Sequence, residues 1–343
     1  MAFSRHPLSH LSRRALLGTV AGLSALIATG TIAAPAQAAD VTLKLGWTTS
    51  DGATDPYAIA AREFAAALDA EMPGVFEVKY FPNRQLGDEK EMIEGMSFGT
   101  IDGGIITNAV IANVEPSFQL LDMPFLFGNE EQAHKVLDGE VGQELMGKLK
   151  TRGIIGLGFA EGGFRHMINN TRPVATPDDV GGVKYRVMQN PVFLEMFGSL
   201  GGNPVPMAWG ETYTAVQQGT IDGLEIPVAV IQANKFAEVT KYLSLTRHTY
   251  SALGVMLSKK SFDKMTADQQ QAVLRAAPKA IAAQRAAVAE NTTKIIDELK
   301  AAGMTVNEVE NPAAFRAKVA GVYDRFKPRI GAALFDKALA QVD

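Results

Sequence analysis

No cysteine occurs anywhere in the 343 residues of the chain, and this limits the fold more than any motif does. Disulfides, thiolate metal sites and thiol nucleophiles are all excluded. The limit matters because the chain begins like an exported one. Arg13 and Arg14 precede an apolar run from Ala15 to Ile32, and Ala34-Pro-Ala-Gln-Ala38 follows as a small-x-small cleavage signal. The run is short and carries its own cleavage site, which predicts a removed secretory signal over 1–38 and not a retained anchor. Ser12-Arg-Arg-Ala-Leu-Leu17 fits a twin-arginine signal, and a general secretory signal fits the same residues. With no Cys after the apolar run, a lipoprotein anchor is excluded. An exported chain without disulfides must rest on its hydrophobic core, and about 300 residues can bury a large one, split into two domains.

The leader takes three arginines and no carboxylate, so the mature chain keeps 37 acidic residues against 30 basic ones. That balance, with no basic patch interleaved with aromatics, gives no support for nucleic acid binding. A hydrophobic content of 47% without low-complexity tracts predicts a chain folded throughout.

Strands alternate with helices along the sequence. Val41–Gly46 alternates like a strand, a turn follows over 48–55, and 57–70 has the period of an amphipathic helix. A strand over 76–81, a helix over about 88–98 and a short apolar strand over 103–106 come next. The pattern recurs with strands over 153–159 and 183–188, helices over 192–200 and 209–218, and a strand at Gly223. This order predicts an α/β protein with mostly parallel sheets. Thr266-Ala-Asp-Gln269 is a capping box opening a long helix to about Gly303, which Pro278 should kink or split. Asn311-Pro312 opens the last segment, expected to be two helices joined near Pro328.

The search for catalytic chemistry returns little. His134, His166 and His248 lack metal-ligand spacing, and Arg165 beside His166 would depress its pKa if they were close. Ser261-Phe-Asp-Lys264 has a serine–lysine spacing without its companion motifs. Gly95-Met-Ser-Phe-Gly99 has the helix before the serine and the strand after it, the reverse of a nucleophile elbow. Gly156-Leu-Gly-Phe-Ala-Glu-Gly162 places Glu161 where a pyrophosphate would lie. The sequence therefore predicts no enzyme, no cofactor and no metal site.

Recognition remains. Gly182-Val-Lys-Tyr-Arg-Val-Met-Gln-Asn-Pro191 is a two-faced strand carrying Arg186 and broken at Asn190-Pro191. Arg165 lies in another alternating segment 21 residues earlier, and the two strands can lie side by side. A strand arginine either faces water or meets an anion. If both arginines converge, their planar forks suit one carboxylate.

Residues Pro204 to Pro227, reading PVPMAWGETYTAVQQGTIDGLEIP, carry a specific likeness, with Gln85-Leu-Gly-Asp-Glu89, Gly99-Thr-Ile-Asp-Gly103, Leu121-Asp-Met-Pro-Phe125 and the Arg186 strand. In order and spacing over the whole mature chain the sequence resembles the TRAP (tripartite ATP-independent periplasmic) transporter solute-binding proteins of the DctP type. The resemblance implies two α/β lobes closing on a ligand cleft, with a long helix spanning both. The expected division is 39–162 plus 252–291 for the first lobe and 163–251 plus 292–343 for the second. It also implies Arg186 as the carboxylate anchor and Arg165 as a second cation. Trp47, Thr48, Glu89, Thr107 and Asn108 fall on pocket positions, and Trp209 on an aromatic wall. Many relatives read Asp-Gly-Gln-Glu-Asn-Pro where this chain has Asp222-Gly-Leu-Glu-Ile-Pro227. Ile226 therefore replaces a ligand-reaching amide and makes the pocket drier there.

The expected function is capture of a small organic acid in the periplasm of a Gram-negative bacterium, for delivery to the membrane subunits of a TRAP transporter. After signal cleavage no membrane insertion is expected. Sugar acids such as hexuronates come first among ligands, then C4-dicarboxylates and keto acids. The same chain can instead present its ligand to a chemoreceptor or sensor kinase, and a periplasmic enzyme using the same cleft is the reading of a different class.

Overall fold

The computed structural model describes residues 39–342; the expected signal peptide lies outside them. The first half runs β1 (Val41–Gly46), α1 (Pro56–Glu71), β2 (Phe76–Phe81), α2 (Glu89–Phe98), β3 (Gly103–Thr107), α3 (Asn108–Ile111), α4 (Glu130–Asp138), α5 (Glu140–Lys148) and β4 (Ile154–Asn169). The second half runs β5 (Lys184–Val187), α6 (Pro191–Ser199), β6 (Asn203–Pro206), α7 (Trp209–Gln217), β7 (Gly223–Pro227), α8 (Val228–Ala233) and β8 (Tyr242–Ser258). It ends with α9 (Lys259–Asp263), α10 (Ala267–Ala301), β9 (Thr305–Glu308), α11 (Pro312–Ile330) and α12 (Ala332–Val342).

The architecture is the two-lobed α/β form, carried on one connected sheet ordered β2-β1-β3-β8-β4-β7-β5-β6, with β9 beside β8. The expectation of mostly parallel sheets holds toward the two ends and where β9 joins β8 in parallel. β1 pairs in parallel with β2 and β3, and β5 with β6 and β7. The centre is antiparallel: β3 with β8, β8 with β4, and β4 with β7. Nor do the two arginine strands lie side by side, because β7 runs between β4 and β5.

The long strands β4 and β8 hold the two ends together. β3 attaches to the last part of β8, from Leu253 to Leu257, while β7 attaches to the last part of β4, from Arg165 to Asn169. Because β4 and β8 run antiparallel, those two attachments lie at opposite ends of one ladder. Register shifts at Gly156/Gly158, Glu161/Gly163 and Arg165/Met167 interrupt the ladder, and such bulges bend a sheet and sharpen its twist. The two segments anticipated separately, around 153–159 and 162–168, are thus one bulged strand.

Apolar residues cover both faces of the sheet. One core holds Ile106, Tyr185, Val187 and Met256 with Phe193, Phe197 and Phe315. The other holds Leu43, Leu45, Ile105, Leu224 and Leu253 with Phe64 of α1 and Val273 of α10. Neighbouring residues such as Ile105 and Ile106 fall in different cores, as the two-residue period of a strand requires.

Helix α10 is one 35-residue element, N-capped by Thr266 with the anticipated capping box. Pro278 does not split it. The carbonyl that loses its partner belongs to Leu274, which is exposed along with Pro278, so water can satisfy it. The same argument applies to Pro328, which sits inside α11; the joint before α12 falls at Gly331, with a φ of 103° that favours glycine. Helix α12 packs on α4, α5 and α11, and buries Leu334, Phe335 and Ala338. Its buried stripe needs an apolar partner, and α4 offers Ala133, Val136 and Leu137.

Gln284, fully buried midway along α10, ties that helix to both α1 and β4. Its Oε1 accepts from the Glu161 amide at 2.9 Å, and its Nε2 donates to the carbonyls of Pro56 and Glu161 at 3.1 and 2.7 Å. Gln284→Leu leaves these backbone groups buried and unpaired, at about 1–3 kcal/mol each. Urea denaturation should show a loss of about 3 kcal/mol or more; a change below 1 kcal/mol would mean that the helix is held elsewhere.

Candidate functional site

Arg186 is carried on β5, a short strand paired on both sides, between β7 and the edge strand β6. Tyr185 and Val187 turn into the core against α6, so Arg186 and Met188 take the opposite face. The strand ends where Asn190 caps α6, its Oδ1 accepting from the Val192 amide at 2.8 Å with Pro191 in the first turn. Asn190 Nδ2 is also held, by the Ala109 carbonyl at 3.0 Å and Asp122 Oδ2 at 2.8 Å. The break anticipated at Asn190-Pro191 is therefore fastened to α3 across the molecule.

A small cavity lies beneath Arg186, lined by Thr48, Thr49, Tyr57, Glu89, Arg165, Met188, Trp209, Ile226, Pro227 and Val230. Its volume is about 20 Å³, enough for about one water molecule. A second cavity of about 320 Å³ adjoins it and shares Glu89, Arg186, Met188 and Trp209. Of the nine residues anticipated for the site, Arg186, Arg165, Thr48, Glu89, Trp209 and Ile226 line the central cavity.

Trp47, Thr107 and Asn108 are not among its lining residues. Trp47 is fully buried behind Thr48, with Nε1 donating to the Ser50 carbonyl at 3.1 Å and its ring edge-on to Tyr80. Thr107 contributes its amide, which donates to Glu89 Oε1 at 2.7 Å. Asn108 Nδ2 donates to the Phe118 carbonyl at 2.9 Å. All three brace the wall from behind.

Tyr57, Thr49, Met188, Pro227 and Val230 were not anticipated. Tyr57 carries the clearest signal among them: an aromatic residue in the first turn of a helix whose N-cap, Asp55, follows the β1 loop. Asp55 accepts from the Tyr57 and Ala58 amides at 3.0 and 3.3 Å and from the Thr49 hydroxyl at 2.8 Å. Asn234 at the end of α8 joins the cluster, donating to Asp55 at 3.2 Å and accepting from the Ser50 amide at 3.0 Å.

The two arginines are equally buried and differently paired. Arg165 makes a two-point ion pair with Glu225, Nε to Oε2 at 2.5 Å and Nη2 to Oε1 at 2.9 Å. Nη2 also donates to the Glu225 carbonyl, and Nη1 to Ser251 Oγ at 3.2 Å. A guanidinium has five N–H donors, so little of Arg165 remains for a ligand. Register makes the pair: Glu225 of β7 lies opposite Met167 of β4, one pleat from Arg165. His248 Nε2 lies 3.3 Å from Glu225 Oε2 on the other side. Burial alone would raise the Glu225 carboxyl, but Arg165 and His248 hold it below its ordinary value.

Arg186 has no such partner among the described residues. Nε donates to the Met207 carbonyl at 3.0 Å, and Nη1 lies 3.3 Å from Met188 Sδ, a weak acceptor. Burial, helped by the Arg165 charge, lowers its pKa to about 10, so it stays a cation at neutral pH. A charge taken from water without a counter-ion is costly. This guanidinium is the one position in the cavity wall where an anion would remove that cost.

Glu89 is the opposite case. Burial pushes its carboxyl up to about 8, although the Thr107 amide and the charges of Arg186 and Arg165 pull the other way. Burial likewise takes Asp122 to about 7 and Asp55 to about 6. His166 drops to about 3, first through burial and then through His248 and Arg247. The predicted depression therefore occurs, but Arg165 does not cause it, since adjacent strand residues face opposite ways. The Ser261–Lys264, Gly95–Gly99 and Gly156–Gly162 segments fall on α9, α2 and β4, away from the cavity.

The protonated carboxyls set a pH dependence. Folded Glu89 keeps its proton to about pH 8, whereas the unfolded chain loses it near 4.5. Between these values the folded state binds more protons, so stability falls as pH rises. His166 acts in the opposite direction, but only below 6.5. From pH 6.5 to 8 the ligand-free protein should lose on the order of 1–2 kcal/mol through Glu89. Thermal melts should show a declining Tm, with a shallower decline in Glu89→Gln; parallel slopes would refute this assignment of the proton.

Comparison with known proteins bears on what the cavity does. The model of the bacterial extracellular solute-binding protein family 7 (DctP) matches residues 48–329. The 2,3-diketo-L-gulonate-binding periplasmic protein of Escherichia coli K12 is 40% identical over 84% of this chain and 85% of its own. A TRAP periplasmic solute-binding protein from Polaromonas sp. JS666, bound to D-erythronate, superposes with a TM-score of 0.84 at 38% identity, covering 88% of this chain and 98% of that one. The sugar-acid-binding protein of Advenella mimigardefordensis, in complex with galactonate, gives 0.85 at 35% identity over 89% and 98%. The chain belongs to the family 7 extracellular solute-binding proteins, the DctP-type binding proteins of TRAP transporters.

Proposed function

We propose that this protein binds a small carboxylate-bearing organic acid in the periplasm and delivers it to the membrane subunits of a TRAP transporter. It is a binding protein and not an enzyme. The observation that carries the ligand class is Arg186, a buried cation with three N–H donors left and no carboxylate partner among the described residues. A ligand carboxylate would take two of those donors in parallel. Glu89 and Thr48 lie within reach of hydroxyl groups, while Trp209, Ile226, Pro227 and Val230 pack against carbon.

Sugar acids rank first as ligands, hexuronates and aldonates included, because one anchor plus hydroxyl-reading groups suits one carboxylate plus hydroxyls. The named ligands of the relatives, D-erythronate, galactonate and a diketo sugar acid, have that form. C4-dicarboxylates and keto acids rank next.

The lobes we propose divide at 162/163, 251/252 and 291/292, the first two crossings supported by the attachment of β3 and β7 at opposite ends of the β4–β8 ladder. Ser50 contacts Asn234 and Ala233 across this division, a contact that would break when the lobes part. Closure dries the cavity and strengthens its polar contacts. No helix among the described residues is long and apolar enough to cross a membrane, which suits a partner of membrane subunits that works outside the bilayer.

Calorimetry against a panel of sugar acids tests the anchor. Arg186→Ala should weaken the best ligand by at least a hundredfold while leaving the melting temperature of the empty protein unchanged or raised, since the variant removes an uncompensated buried charge. Affinity within a few-fold of wild type would sink the assignment.

A further inference from the structure

The charges around the cavity do not balance in the way two convergent arginines suggest. Glu225 neutralises Arg165 by a two-point pair, which leaves Arg186 as the unneutralised cation of the central cavity among the described residues. Glu89 stands in the same wall, 7% exposed, with Oε1 held by the Thr107 amide. No cation pairs with it among the described residues. The second cavity, into which a ligand anchored on Arg186 would extend, is lined by Asp88, Glu89, Glu91 and Glu211 against Lys90 and Arg186. Oxygen acceptors are plentiful there and positive charge is scarce. The basic pair Arg84 and Lys235 lines a third cavity, beyond Trp209, which includes neither Arg186 nor Glu89.

We propose that Glu89 makes this site selective for monoanionic hydroxy acids, accepting or donating a hydrogen bond at a ligand hydroxyl where a second carboxylate would be repelled. The proposal deepens the organic-acid reading and depends on Arg186 as the anchor. A hydroxyl can give its proton to a carboxylate or take one from a carboxylic acid, so it suits Glu89 in either state. A second ligand carboxylate suits neither state: against ionised Glu89 it is a like charge in a poorly solvated space, and against protonated Glu89 it can accept one hydrogen bond but remains a second buried anion with no second free cation beside it. Selectivity then comes from a repulsive element as much as from the attractive one.

Matched pairs that differ only in carrying a carboxylate where the monoacid has a hydroxymethyl group isolate the effect: galactonate with galactarate, gluconate with glucarate, erythronate with meso-tartrate. Titration calorimetry on the mature protein at about pH 9, where Glu89 with its pKa of about 8 is ionised, should find the tightest monoacid at least a hundredfold tighter than its diacid partner. Glu89→Gln, which keeps an acceptor and a donor but cannot ionise, should narrow that ratio at least tenfold, mainly by tightening the diacid. Melting curves confirm that the variant is folded. Diacids binding within tenfold of their monoacids in the wild type, or a ratio unmoved in Glu89→Gln, would overturn the selectivity while leaving the anchor standing. If no acid of either charge binds, the organic-acid reading itself fails and the selectivity with it. Tight diacid binding that is lost in an Arg84→Ala, Lys235→Ala double variant would place the second carboxylate beyond Trp209, and would also overturn the proposal.

Discussion

The buried pair between Arg165 and Glu225 governs what the rest of the cleft can do. An arginine removed from water must find compensation inside the protein or go without it, and the cost of going without is several kcal/mol. Arg165 takes the first course, bound at two points by Glu225, which also contacts His248. This fixes β4 to β7 at the place where the β4–β8 ladder shifts register. It also removes one positive charge from the site, so the field in the cavity comes from Arg186. Two arginines that look equivalent in the sequence thus do different work, one holding the sheet together and the other facing the cavity uncompensated.

Much of this was legible in the sequence, for identifiable reasons. Strands β1 and β2 fall on their anticipated limits because each alternates cleanly between turn residues. The start of α10 is given by Thr266 and Gln269, whose side chains cap each other's backbone as their spacing requires. Arg186 stands out because a charge inside an alternating strand is rare enough to prompt a question. Strand β8 was missed altogether. Its second half, Ser251 to Ser258, is buried on both faces and shows no two-residue period, and its first half hides alternation behind threonines and serines that are themselves buried.

What the sequence could not supply was pairing. Arg165 and Glu225 are 60 residues apart, and only the β4–β7 register brings them together. A sign was present in Gly223-Leu-Glu-Ile-Pro227, where one carboxylate stands alone in an apolar strand; a charge so placed needs a partner, but the strand does not say which. The likeness to relatives pointed to Arg165 and Arg186, which line the central cavity, and to Trp47, Thr107 and Asn108, which stand outside its lining; a residue that braces a wall from behind follows the same motif as one that lines it. The two prolines lie inside α10 and α11, and the joint between the last two helices falls at Gly331, near Pro328 as anticipated. Proline breaks a helix when the orphaned carbonyl is buried, and at both positions the proline lies on the exposed side of its helix.

An unpaired cation in a closing cleft also bears on how occupancy is signalled. On the proposed reading, closing the empty lobes carries Arg186 out of water with nothing to replace its hydration. Closing them over a carboxylate replaces that hydration with two charge-assisted hydrogen bonds. The ligand then stabilises the closed state more than the open one, and only such differential affinity can shift the balance between them. Arg165 cannot serve this purpose, because Glu225 compensates it whether or not a ligand is present. Leaving one arginine without a protein partner therefore weakens the empty closed state, and that weakness is what makes closure depend on the acid.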